Sequence, residues 1–181
     1  AGNTGTRETS LSSGSEIIFD RDIPELTTVD ISSSNSNPAL SKVGDVITLA
    51  IVADEDIQIP TVTIAGSTVP NSDITGNDGE RNFTATYAMQ SSDNTAAAIG
   101  FTIDFSDLAN NLGTQKTTIL NDGDGLNVGF DKQAPGLSLV SMFSDNDNRA
   151  GRGNKTALAI VNDIVTVTFA SDEDLKTGVN P

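Results

Sequence analysis

Two acidic triplets are the residues of this sequence best suited to chemistry, and each follows an apolar stretch with strand-like alternation. They are Asp54, Glu55 and Asp56 in "ADEDI", and Asp172, Glu173 and Asp174 in "SDEDL". Adjacent carboxylates repel one another, so such a triplet is either a solvated loop or part of a cation site. Short carboxylates are hard oxygen ligands of the kind that calcium prefers. The two interpretations differ in where the triplets must lie in the fold.

The composition excludes most catalytic sites. The 181 residues include no cysteine, histidine or tryptophan, which removes disulfides, cysteine–zinc sites and the commonest nucleophile and base pairs. We therefore expect a protein that is not an enzyme. The formal net charge of −15 argues against nucleic acid and anionic membranes as partners. There is no run of about 18 apolar residues, so we expect no direct membrane contact.

The chain contains an internal repeat. "FDRDIPELTTV" at Phe19 matches "FDKQAPGLSLV" at Phe130, and "GDVITLAIVADEDI" at Gly44 matches "NDIVTVTFASDEDL" at Asn162. A third block, "AGNTGTRET" at the first residue, matches "ANNLGTQKT" further on. Because three blocks match in the same order, the sequence indicates a tandem array. We predict the end of one repeat and a linker in residues 1–20, a complete repeat in 21–131 and the beginning of another in 132–181.

The pattern within the complete repeat predicts an all-β fold. Short segments rich in β-branched residues alternate with turn signals, and no segment has the length of a long helix. About seven strands in about 110 residues are typical of an immunoglobulin-like antiparallel β-sandwich, here repeated in tandem. The candidate core residues are Ile47, Leu49, Ile51, Val62, Ile64, Phe83, Ile103 and Phe105.

Several segments resemble the immunoglobulin-like repeats of very large bacterial surface proteins, including calcium-dependent adhesins. They are "TTVDISSSNSNPALSKVGDVITLAIVADEDIQIPTVTIAG", "NFTATYAM", "IGFTIDFSDLANNLGTQ" and "VGFDKQAP". The family usually carries "DxAGN" between its last two strands. Here this motif is "DLANN", with Asn110 in the glycine position, and asparagine tolerates the left-handed turn geometry. The resemblance implies an extracellular array of spacer repeats, with calcium bound near the joints.

The order of strands in such a sandwich brings acidic loops together at one end. The predicted second-to-third strand turn carries the first triplet, the fourth-to-fifth turn carries Asp78 and Glu80, and the last turn carries Asp107 and Asn111. The incoming linker adds Asp20 and Asp22. A second joint would use Asp131 with the second triplet. The predicted metal ligands are Asp20, Asp22, Asp54, Glu55, Asp56, Asp107, Asn111, Asp131, Asp172 and Asp174.

Three functions remain open from the sequence. The first is a structural spacer of an extracellular adhesin or appendage, at the cell surface, whose partners are neighbouring repeats and whose joints are stiffened by calcium. The second is a filament subunit in which other chains complete the partial repeats by strand addition. The third is a module that binds carbohydrate or another ligand, which is disfavoured because the chain has one tyrosine and no tryptophan.

Overall fold

The computed structural model describes residues 2–4, 14, 19–120, 126–145 and 158–175. The chain divides into two compact units, unit 1 (Ala1–Lys132) and unit 2 (Gln133–Pro181). The described residues form β-strands and one three-residue 3-10 turn at Asn71–Asp73, which confirms the all-β prediction. The predicted end of a preceding repeat lies mostly outside the described residues, and the predicted domain boundaries stay predictions.

Unit 1 has one antiparallel sheet of four strands. Their order across the sheet places β1 next to β3, then β7, then β6. The strands are β1 (Leu26–Ser33), β3 (Val46–Ile57), β6 (Ile74–Thr75) and β7 (Glu80–Ala88). In β3, Ile47, Leu49 and Ile51 are buried whereas the intervening residues are partly exposed, as the period of two residues in a strand requires.

A second sheet of unit 1 has three strands in the order β5, β4, β8. They are β4 (Thr61–Ile64), β5 (Ser67–Thr68) and β8 (Phe101–Asp104). Two further short strands, β2 (Leu40–Ser41) and β9 (Gly129–Phe130), pair in parallel. The segment before residue 121 contacts both larger sheets, because Lys116 pairs with Ile103 of β8 and Leu120 pairs with Val29 of β1.

One apolar core holds the two sheets of unit 1 together. Buried side chains from β1, β3 and β7 lie in the same cluster as those from β4 and β8. All eight candidate core residues named from the sequence are buried, which confirms that prediction. Removing this apolar area from water is the main stabilising contribution to such a fold.

Unit 2 consists of an antiparallel pair, β10 (Leu137–Ser144) and β11 (Val165–Ser171). Its register reproduces that of β1 and β3: Leu137 pairs with Ser171 as Leu26 pairs with Ala53, and both ladders shift register after the first pair. Gly44 before β3 and Asn162 before β11 both have a positive φ, 89° and 75°. The internal repeat seen in the sequence is therefore also a repeat of backbone geometry.

The exposure of the same apolar positions differs between the two units. Three residues of β1 and β3 that are 3% exposed or less match residues of unit 2 that are 56% exposed or more. The pairs are Leu26 and Leu137, Val29 and Val140, and Ile51 and Phe169. Within unit 2, the described strands thus leave an apolar face uncovered.

The position of the first acidic triplet corrects the sequence prediction. Asp54, Glu55 and Asp56 lie within strand β3, which continues to Ile57, and not in a turn after it. The prediction was wrong because acidic residues have low strand propensity, and a run of three resembles a loop. In this fold, tertiary pairing overrides that propensity.

Candidate cation site

A bulge in β3 carries the acidic triplet away from its partner strand. Val52 pairs with Asn82 and Ile57 pairs with Glu80, so the four residues between Val52 and Ile57 lie opposite Arg81 alone. A bulge bends the strand and redirects its side chains. Beyond the bulge, Ile57 forms an antiparallel bridge with Asp107. This pairing brings the triplet beside the loop that contains Asp107.

Three carboxylates from distant parts of the chain meet at this bulge. One oxygen each from Asp20, Glu55 and Asp107 lies within 4.8 Å of the other two. Asp20 comes from the segment before β1, Glu55 from β3 and Asp107 from the loop after β8. These residues come from the predicted linker, from the first triplet and from the predicted last turn, and we call them the carboxylate cluster. That they bind a metal stays a prediction.

The alternation of β3 explains why only one member of the triplet joins the cluster. Ala53 and Ile57 are buried and Glu55 between them is partly buried, whereas Asp54 and Asp56 are exposed. Successive side chains of a strand point to opposite faces. Glu55 therefore lies on the inward face of β3, and its two neighbours lie on the outward face.

The pKa of Glu55 is raised above its ordinary value of 4.5. Burial is the largest cause, because it penalises the charged form. The nearby negative charges of Asp20, Asp54, Asp107 and Asp22 raise it further. The site therefore disfavours the charged form of Glu55 relative to an exposed glutamate.

Asp107 is held as a carboxylate although it is buried. Burial alone would raise its pKa, but hydrogen bonds from the Asn111 side chain and from the backbone of Asn111, Ala109 and Asn110 outweigh it and lower the pKa. The Asn111 N–H donates to Oδ1 at 2.8 Å, and its Nδ2 donates to Oδ2 at 2.7 Å. Asn110 has a φ of 72°, which confirms that asparagine takes the left-handed turn position here.

The two outer residues of the triplet have other partners. Asp54 Oδ1 accepts a hydrogen bond from the Glu25 N–H at 2.8 Å. Asp56 Oδ1 forms an ion pair with Arg81 Nε at 2.8 Å, and the Arg81 guanidinium also donates to the Asp54 carbonyl. Neither aspartate belongs to the three-residue group whose oxygens converge.

The other predicted residues near this end make local contacts. The Asp22 N–H donates to Asp20 Oδ1 at 3.0 Å. Asp78 Oδ1 accepts from the Ile59 N–H at 2.8 Å, and Glu80 Oε1 accepts from Asn77 Nδ2 at 3.0 Å. Asp78 thus ties the turn before β7 to the segment after β3, and Glu80 makes a contact within that turn. Neither residue belongs to the carboxylate cluster.

The residues predicted for a second joint lie in both units. In unit 1, the Asp131 N–H donates to the Ser41 carbonyl at 3.0 Å. In unit 2, Asp172 Oδ1 accepts from the Gly136 N–H at 2.7 Å, and Asp174 is exposed. Within the described residues, the second triplet is not part of a group of three converging carboxylates.

Sequence reasoning missed a pair of structural carboxylates. Asp45 is buried, and its oxygens accept from Asn35 Nδ2 at 2.6 Å, from the Lys42 N–H at 2.9 Å and from Lys42 Nζ at 2.7 Å. Asp163 accepts from the Ile160 N–H at 2.7 Å in the equivalent position of unit 2. The signal was present, because Asp45 and Asp163 match in the aligned blocks. Arg81 was also missed, and no local pattern marks it.

An open groove of about 340 Å³ lies beside β4 and β8. Its lining includes Met89, Ile99 and Phe101 and contains no charged residue. Such a lining offers nothing that would orient a charged ligand. The carboxylate cluster is therefore the better candidate for a functional site.

Comparisons with models of known protein families, with curated proteins and with solved structures find no match to this chain. In the part of the chain that the structure describes, no helix has the length and apolar character needed to cross a membrane.

Proposed function

We propose that this chain is a spacer segment of an extracellular surface protein, built from immunoglobulin-like sandwiches in tandem and stiffened by calcium where one repeat meets the next. The single observation that carries this proposal is the carboxylate cluster. Asp20 stands in the segment that enters unit 1, and its oxygen lies within 4.8 Å of oxygens from Glu55 and Asp107 in the body of that unit.

The strand arrangement supports the sandwich. A four-stranded antiparallel sheet and a three-stranded sheet share one apolar core, and seven strands in two such sheets are typical of the immunoglobulin-like class. The repeated register of unit 2 supports a tandem array. The uncovered apolar face of β10 and β11 supports a second sandwich, whose remaining strands would cover that face.

The chemistry of the cluster fits calcium. Calcium binds oxygen ligands at about 2.3–2.6 Å, so two oxygens on opposite sides of one ion are about 5 Å apart at most. The three oxygens lie within 4.8 Å of one another, which is inside this limit. Asp20, Glu55 and Asp107 would hold the ion, and the remaining ligands that calcium needs would be carbonyl oxygens or water. Asp22 and Asp54 would add negative charge near it.

The physical role of the ion would be to fix the linker. Without a cation, three carboxylates at this distance repel one another, and the repulsion favours movement of Asp20 away from Glu55 and Asp107. A divalent ion between the carboxylates attracts all three of them, so the net interaction of the site becomes favourable. A short linker such as residues 20–24 then loses freedom, and the array becomes extended and stiff.

Calorimetry and NMR relaxation on the intact chain test this proposal. Calcium should bind, and the backbone order parameters of Asp20, Arg21 and Asp22 should rise from flexible values below about 0.6 toward about 0.85. Asp20→Asn should weaken binding, whereas Asp78→Asn is the matched control because Asp78 lies outside the cluster. If calcium does not bind, or if binding leaves the order parameters of the linker unchanged, the proposal is wrong.

A further inference from the structure

The same pair of hydrogen bonds occurs once in each unit, at the point where the chain enters the first strand. In unit 1, Asp54 Oδ1 accepts from the Glu25 N–H at 2.8 Å and the Asp54 N–H donates to the Glu25 carbonyl at 3.0 Å. In unit 2, Asp172 and Gly136 make these contacts at 2.7 and 3.1 Å. We call them the Asp54–Glu25 pair and the Asp172–Gly136 pair.

The two pairs occupy equivalent places in the fold. Glu25 immediately precedes β1, and Gly136 immediately precedes β10. The entering residue differs, glutamate in one unit and glycine in the other, so its side chain is not what the contact requires. In both pairs the aspartate contacts only the backbone N–H and carbonyl of the residue before the first strand. The aspartate is therefore the element that the two pairs share. The aspartate side chain supplies an acceptor oxygen for the N–H of the residue that precedes the first strand.

We propose that Asp54 and Asp172 are positioning residues, each fixing the segment that enters its own unit through a hydrogen bond that needs no cation. In unit 1 this role extends to the cluster, a step that rests on the proposed function. Pro24, next to Glu25, is buried, and Asp20 is only five residues before Glu25. Anchoring Glu25 therefore restricts where the Asp20 carboxylate can lie relative to Glu55 and Asp107.

The three members of the first triplet then have different roles. Asp54 anchors the entering chain, Glu55 faces the cluster, and Asp56 pairs with Arg81 at 2.8 Å. Asparagine at position 54 would retain an acceptor oxygen and lose the charge, whereas alanine would lose both. The two substitutions therefore separate a positioning residue from a ligand.

The first experiment follows the amide protons of Glu25 and Gly136 in chelator. Asp54→Ala should increase the exchange rate of the Glu25 amide at least roughly fivefold, the factor that a hydrogen bond worth about 1 kcal/mol supplies. Asp172→Ala should do the same for Gly136. Asp54→Asn and Asp172→Asn should restore slow exchange. The fluorescence of Tyr87, the single tyrosine, verifies that unit 1 remains folded in the position 54 variants.

The second experiment measures calcium affinity of the position 54 variants, with Asp56→Asn as the control for loss of charge. Asp54→Asn and Asp56→Asn should each weaken binding by no more than about fivefold, the usual range for an exposed charge. Asp54→Ala should weaken it further, because Asp20 is no longer restricted.

Different results would overturn different claims. If Asp54→Ala leaves the Glu25 amide unchanged, or if Asp54→Asn exposes it equally, Asp54 is not a positioning residue. If Asp54→Asn weakens calcium binding as much as Asp20→Asn, Asp54 is a ligand instead. If the wild-type chain binds no calcium, the proposed function is wrong, and the amide measurements still decide whether the two pairs anchor their units.

Discussion

Replacing Glu55 with glutamine should stabilise unit 1 in chelator and should reduce the stabilisation that calcium provides. Glu55 is partly buried and faces two other carboxylates within 4.8 Å. Glutamine has nearly the same shape and carries no charge. In chelator the substitution removes repulsion and should stabilise unit 1. In calcium it removes a ligand charge, so the variant should gain less from the ion than the wild type gains.

Coulomb's law sets the size of the effect in chelator. Two unit charges 4.8 Å apart repel by about 0.9 kcal/mol in bulk water and by about 3.5 kcal/mol at an effective dielectric constant of about 20. Asp20 is exposed, so its contribution lies near the lower figure and decreases with added salt. We expect Glu55→Gln to raise the free energy of unfolding of unit 1 by about 1–2 kcal/mol at low ionic strength.

The pH dependence has a definite sign. The pKa of Glu55 is raised in the folded state above its ordinary value of 4.5. As pH rises above 4.5, the unfolded chain loses this proton first, so the folded state loses stability until the pH passes the folded pKa. The wild type in chelator should show this loss, and Glu55→Gln should not.

Urea unfolding monitored by Tyr87 is the appropriate assay. Tyr87 is the single tyrosine of the chain and lies in β7 of unit 1, where its hydroxyl donates to Asp93 Oδ1 at 3.1 Å. It therefore reports unit 1 separately from unit 2. Calcium at 100 times its dissociation constant should stabilise the wild type by about 2.7 kcal/mol.

Glu80→Gln is the matched control for this assay, because Glu80 lies outside the cluster and glutamine retains the acceptor for Asn77. Its effect should stay within about 0.5 kcal/mol in both buffers. The reasoning is refuted if Glu55→Gln destabilises unit 1 in chelator, or if the variant retains the full calcium effect.

Other perturbations have equally definite outcomes. The pKa of Asp107 is lowered in the folded state below its ordinary value of 3.8. The resulting stability is fully present above pH 3.8 and is lost as pH falls through the folded pKa. Acid unfolding of Asp107→Asn should lack this loss, and a profile unchanged from the wild type would contradict the assignment. A Cβ at Gly113 would overlap the Phe105 ring, so Gly113→Ala should cost about 1–3 kcal/mol in urea unfolding, and a neutral result would show that the ring moves freely. Ala65 has a φ of 53°, so Ala65→Gly should relieve about 1–2 kcal/mol of left-handed strain at a smaller entropic cost and raise the thermal midpoint. Ala50→Gly in strand β3 should lower the thermal midpoint. A shift of the same sign in both variants would contradict the argument.

The sequence by itself determined the class of fold and its core. The alternation in β3 predicted that Ile47, Leu49 and Ile51 share a buried face, and all three are buried. Local patterns suffice here because the side-chain period of a strand and the burial of apolar groups are properties of short segments. The aligned blocks likewise predicted that the Asp54 and Asp172 regions match, and their ladders share one register.

The sequence also indicated that acidic segments converge, but not which carboxylates meet. It treated the triplet as three equivalent residues in a turn. The structure places the triplet in a bulged strand, so that Glu55 alone meets Asp20 and Asp107. A strand continuing through three acidic residues could not be predicted from local propensity, which favours a loop there.

Only the tertiary structure decided the partners of Asp54 and Asp56. Glu25 lies 29 residues before Asp54, and Arg81 lies 25 residues after Asp56. Contacts across such separations depend on which strands pair, in which register and with which bulge, and these follow from packing of the whole unit around its core. A local pattern shows that a charge is present. The assembled sheets decide whether that charge anchors the chain, forms an ion pair with a basic side chain or faces other carboxylates.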